Sequence, residues 1–98
     1  MRRDEVVAKL KSIEPDIRAL GAQSLFLYGS YARDEARSDS DVDIFIDKDP
    51  SRHFGFDEFM DIYFKLQSAL GTEVGYTTRE GLVEFYRTDI EREALRVF

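Results

Sequence analysis

Ninety-eight residues, 43% hydrophobic and 13% aromatic, suffice for one folded domain, residues 1–98, and leave no room for a second. The net charge of −6 argues against direct nucleic-acid binding, which needs clustered lysine and arginine. With no cysteine there is no disulfide or thiolate metal site, and no apolar run approaches the roughly 18 residues of a membrane span. The N-terminus MRRDEVV lacks the apolar core of a signal peptide, so a cytoplasmic protein without membrane association is expected.

Residues 4–20 place Val6, Val7, Leu10, Ile13, Ile17 and Leu20 at spacings of three and four, the stripe of a packing helix. Pro15 interrupts it, because the residue before a proline resists the α conformation. A kink is expected, or two helices with Pro15 in the first turn of the second, and Gly21 as the stop. Ser24 to Tyr28, short and apolar, reads as a buried strand. Residues 31–36 read as a short helix capped by Ser30.

Asp41 to Asp47 alternates, with Val42, Ile44 and Ile46 on the core face and Asp41, Asp43, Phe45 and Asp47 on the other. Ser40 shapes the approach to this strand through a local backbone hydrogen bond. Asp47, Asp49 and Pro50 mark its exit and are assigned no chemistry. His53, the only histidine, lies in a loop at 51–55 without a partner at ligand spacing, and reads as surface. Phe56, Phe59, Met60, Tyr63, Phe64, Gln67 and Leu70 trace one helical face, read as core, and Gly71 ends that helix.

Glu73 to Thr77 is the next strand. Thr78 is expected to cap a helical stretch holding Leu82, Val83, Phe85 and Tyr86. A second stretch turns Ile90, Ala94 and Leu95 inward, and Arg96, Val97 and Phe98 close as a short edge strand. The fold class is α/β (α+β): a small mixed β-sheet with helices mainly on one side.

The chemistry concentrates in Phe26–Asp47, FLYGSYARDEARSDSDVDIFID. Between Asp34 and Asp61 stand ten acids against three bases, and most of these acids form a solvated surface. Asp41 and Asp43 differ, because residues two apart on a strand share a face, about 6.5–7 Å apart along the chain. Carboxylates so placed repel each other unless something positive offsets them. Mg²⁺ is the usual answer, a hard cation that takes oxygen ligands and shares them with substrate phosphates. Gly29 lets backbone approach a phosphate closely, and a helix opening after Ser30 aims N–H groups at the same anion. Ser30 is a cap, a phosphate contact, or both. Arg33 and Arg37 flank the turn, and a guanidinium offers a triphosphate paired hydrogen bonds. Together these residues outline a nucleotide site.

The combination of Gly29-Ser30, Ala32-Arg33 and Ser40-Asp41-x-Asp43 at this spacing resembles the signature of DNA polymerase β-type nucleotidyltransferases. Within that superfamily the chain is most similar to the minimal nucleotidyltransferase (MNT) antitoxins, partners of HEPN-domain toxins. The resemblance covers essentially the whole chain. It implies Mg²⁺ on Asp41 and Asp43, phosphates held by Gly29, Ser30, Arg33, Arg37 and Ser40, and ATP as substrate. It also implies transfer of AMP to a tyrosine of a HEPN ribonuclease toxin, which the modification silences, and a hetero-oligomer with that toxin. Transfer to an antibiotic is disfavoured, since related enzymes of that kind need further domains.

Two departures stand out. Asp34 occupies a position where the family usually has glycine. Gly75, in GTEVGYTT, stands where a third aspartate is expected. Glu73, two residues earlier and on the same face, is the candidate replacement; the other reading is an ordinary exposed glutamate. Without a replacement, the chain is a degenerate antitoxin that binds nucleotide and neutralises its toxin by contact.

Overall fold

The computed structural model describes residues 1–98. Two helices lead, α1 (Arg3–Ser12) and α2 (Glu14–Ala19), broken where Pro15 enters the first turn of the second. Strand β1 (Ala22–Tyr28) follows, then the single turn α3 (Gly29–Ala32) and strand β2 (Val42–Lys48). Helix α4 (Phe56–Leu70) ends at Gly71, whose φ of 67° is the left-handed stop that its lack of a side chain permits. Strand β3 (Val74–Thr78), a 3₁₀ turn (Arg79–Gly81), helix α5 (Glu84–Glu93) and strand β4 (Leu95–Arg96) complete the chain.

The four strands form one sheet in the order β3-β2-β1-β4. β1 is antiparallel to β2 and β4, whereas β2 and β3 run parallel, so the sheet is mixed. One face is the core. Leu25, Leu27, Val42, Ile44, Ile46 and Val74 meet Val6, Leu10, Ile17, Ile62, Leu66 and Leu70 from α1, α2 and α4. A register shift between Ala22 and Ser24 lets Ala22 join that face, and the strand therefore starts two residues before the expected Ser24.

Several expectations need correction, among them the closing strand, which is Leu95–Arg96 with Leu95 exposed, and β3, which starts at Val74. The turn after β1 starts at Gly29 and no side chain caps it, so Ser30 lies inside it and is not its cap. Gly29, at φ 73°, swings the chain off the strand at once, and Asp34, at φ 58°, ends the turn early. In α4 the buried residues are Ile62, Leu66 and Leu70, while Phe56 and Phe64 are 75% and 57% exposed. The aromatic stripe thus lies beside the buried one. Beyond Thr78 there is one helix and not two: Thr78 Oγ1 caps the 3₁₀ turn by accepting from Gly81 N, and Leu82 is buried between turn and helix.

The other sheet face carries Ser24, Phe26 and Tyr28 beside Asp47, Phe45 and Asp43, as the alternation requires. Phe26 and Phe45 stack at 4.8 Å, and the Arg79 guanidinium lies 4.9 Å from both rings. Arg79 donates to both Asp47 oxygens, at 2.7 and 2.9 Å, and to Glu91 on α5 at 2.6 Å. Ser24 Oγ donates to Asp47 as well. This one side chain fastens α5 to the sheet. Arg79→Ala is expected to lower the unfolding free energy by about 1–3 kcal/mol in urea titrations. Arg79→Lys should recover only part, because it lacks the planar fork.

Candidate active site

Register brings the site together. Tyr28 at the end of β1 pairs with Asp43, and Asp43 lies opposite Gly75 on β3. Asp43 is half-buried; Asp41, just before β2, is exposed. A Cβ on Gly29 would overlap Asp43 Oδ2, and one on Gly75 would lie 2.6 Å from Asp43 Oδ1. The Asp43 carboxylate therefore sits in a notch that exists because both neighbours lack side chains. Burial, and then the charge of Asp41, raise its pKa above the ordinary aspartate value; Arg33 opposes them and Glu93 adds to them.

The turn after β1 presents the backbone N–H of Gly29 and the Arg33 guanidinium to a common point. A carboxylate already stands there. Glu93, the last residue of α5, accepts from Gly29 N at 3.2 Å and from Arg33 Nη1 at 3.2 and 3.1 Å on its two oxygens. A pocket of about 440 Å³ opens beside it, lined by Tyr28, Gly29, Arg33, Leu82, Tyr86 and Glu93 among others.

The residues expected at the site divide. Gly29, Arg33 and Asp43 converge; Ser30 sits in the turn beside Gly29, and Asp41 flanks Asp43 closely enough to raise its pKa. Ser40 Oγ accepts from Arg37 N at 2.8 Å and closes the loop ahead of β2, the local bond expected of it. Arg37 is exposed on that loop and forms no ion pair. Glu73 is not brought to the pair: its carboxylate accepts from Gln67 on α4. Asp34 adopts the left-handed conformation that glycine would adopt at its position, and aspartate tolerates it better than most residues.

Two residues of the site were not legible in the sequence. Glu93 is 64 residues from the N–H it binds, and nothing in EREAL marks it. Tyr28 read as core, but the charge of Asp43 joins burial in raising its pKa.

No three acidic or histidine side chains converge as a metal cage. The donor set is the Asp41–Asp43 pair, and it suits Mg²⁺, which commonly takes one or two protein carboxylates and completes its shell with water and phosphate. Asp43, moreover, has no ion-pair partner.

The family model of the nucleotidyltransferase domain matches residues 4–97. The chain belongs to the nucleotidyltransferase family. A Methanocaldococcus jannaschii protein named "putative protein adenylyltransferase" is 31% identical over 94 residues, covering 95% of this nucleotidyltransferase and 92% of the relative. A solved structure described as a "putative minimal nucleotidyltransferase" superposes with a TM-score of 0.81 at 27% identity, over 97% of this chain and 95% of that one. An MNT antitoxin in complex with a tri-AMPylated Shewanella oneidensis HEPN toxin shares the fold, with a TM-score of 0.67 at 17% identity, over 98% and 71% of the chains. No helix of this nucleotidyltransferase is long and apolar enough to cross a membrane.

Asp43 yields a pH prediction. Its raised folded pKa means that ionising it costs stability; that stability is present below the unfolded value, about 4, and lost as pH rises through the folded one. Asp43→Asn is therefore expected to raise the urea midpoint at pH 7, with the gain disappearing toward pH 3.

Proposed function

We propose that this nucleotidyltransferase is an MNT-type antitoxin that transfers AMP from ATP to a tyrosine of a cognate HEPN-domain ribonuclease toxin. The observation carrying the reading is the notch between Gly29 and Gly75, which holds a half-buried, unpaired Asp43 carboxylate close to Arg33, whose guanidinium and the Gly29 N–H offer donors to an anion. The name of the 31% identical relative and the fold shared with a toxin-bound antitoxin support it. A toxin–antitoxin complex with AMP-PNP shares the fold too, at a TM-score of 0.67.

On this reading Asp41 and Asp43 hold Mg²⁺, which when bound neutralises charge on the phosphoryl oxygens. The Gly29 N–H, the Ser30 hydroxyl and Arg33 hold phosphate oxygens; Arg37 adds positive charge from the neighbouring loop, and Ser40 keeps that loop closed. The tyrosine hydroxyl gives up its proton to solvent, its oxygen forms a bond to the α-phosphorus while the bond to the bridging oxygen breaks, and pyrophosphate leaves. Fixing the triphosphate against the sheet supplies alignment, where small misplacements are costly.

A specific observation favours a second reading, neutralisation by contact alone. Gly75 gives the site no third carboxylate, and Glu73 is engaged by Gln67. Incubation with the co-encoded toxin and α-labelled ATP separates the two. Transfer predicts a labelled toxin, with labelling reduced about 10²–10⁴-fold in Asp41→Asn/Asp43→Asn while circular dichroism is unchanged. Neutralisation without label is the outcome of the contact reading, and Gly75→Asp should then restore labelling by supplying the missing third carboxylate, provided Asp43 shifts enough to make room while still reaching the metal.

A further inference from the structure

The anion seat of the site is already filled by the chain itself. Gly29 N–H and Arg33 Nη1, the donors assigned above to phosphate, are both spent on Glu93. The contact is specific in form: both carboxylate oxygens are used, one shared between a backbone N–H and a guanidinium. It is also open to exchange, because the Arg33 and Glu93 side chains are 45% and 29% exposed. Glu93 lies at the last turn of α5 and is followed by an extended Ala94, so its side chain can withdraw without breaking a helix interior. The pocket beside it gives an incoming group room to reach the same donors.

We infer that Glu93 is an internal competitor for the phosphate seat, and that nucleotide binds by displacing its carboxylate from Gly29 and Arg33. The inference rests on the nucleotide reading and adds a residue that sets affinity within it. Displacement has two consequences. The triphosphate must overcome an ion pair before gaining its own, so the unmodified protein binds more weakly than its donors would allow. The released Glu93 carboxylate also removes a contact between α5 and the turn after β1, which couples occupancy of the site to the helix bordering the pocket.

Calorimetry with Mg–ATP on the full chain, Glu93→Gln and Glu93→Ala tests this. Both variants are expected to bind roughly two- to fivefold tighter, since one exposed charge pair need no longer be broken and a like charge is gone. Unchanged affinity overturns the inference and leaves the nucleotide reading standing. Weaker, Mg²⁺-dependent binding also overturns it, identifying Glu93 as a third carboxylate that serves the metal. Absence of binding in every form, the variants included, overturns both. A second measurement needs no variant: on saturation of the unmodified protein with Mg–ATP, the Gly29 amide and the Arg33 side-chain ¹⁵N resonances should shift together. Resonances that stay in place at saturation would show that Glu93 is never displaced.

Discussion

An ionised carboxylate held partly out of water between two glycines is the constraint on which the open sheet face depends. Asp43 and Asp47 share strand β2 and project from the same face, four residues apart, yet their environments push them in opposite directions. Hydrogen bonds from Arg79, with Ser24 helping, hold Asp47 below the ordinary carboxylate range. Burial, reinforced by Asp41, raises Asp43. Phe45 stands between them, stacked on Phe26. One aspartate is a structural anchor with its charge satisfied; the other is left with charge to spare for a ligand.

The division of the sheet into two faces makes this possible in a short chain. Helices α1, α2 and α4 cover one face and supply the core. The other face receives only the 3₁₀ turn and the border of α5, fastened through Arg79 to Asp47 and Glu91. Charges there lie between water and protein, where desolvation shifts pKa values without forbidding ionisation. A fully covered face would demand a partner for Asp43, and a bare one would leave it an ordinary surface acid.

The fold was largely legible because its main signals are short-range. Pro15 broke the leading helix, the alternation at 42–47 set both faces of β2, and Gly71 ended α4. Errors arose where local pattern competed with packing. Phe56 and Phe64 joined an aromatic stripe in sequence, yet Ile62 and Leu66 point at the sheet. Ser30 looked like a cap, but a positive-φ glycine started the turn two residues earlier than expected. In the candidate site, the nearness of Gly29 to the aspartate pair was legible from spacing. Glu93 was not, because its role comes from α5 folding back across 64 residues to meet Gly29. Glu73 looked like the replacement carboxylate because strand alternation would give it the face of Gly75; it lies just ahead of β3, and its side chain accepts from Gln67.

The glycine at 75 therefore does more than remove an acid. With an aspartate there, three carboxylates would crowd one notch, each raising the others' pKa, and Asp43 would have to leave the space it now fills. With glycine, Asp43 fills the notch, and a third acid, Glu93, stands at the Gly29 N–H, paired with Arg33. The negative charge here thus falls into two parts: an aspartate pair, free of ion-pair partners, that favours a cation, and a glutamate that occupies the cationic donors. On the proposed reading, a triphosphate arriving with its metal would be drawn by the aspartate pair and would compete with Glu93, which ties metal and phosphate affinities to opposite charges.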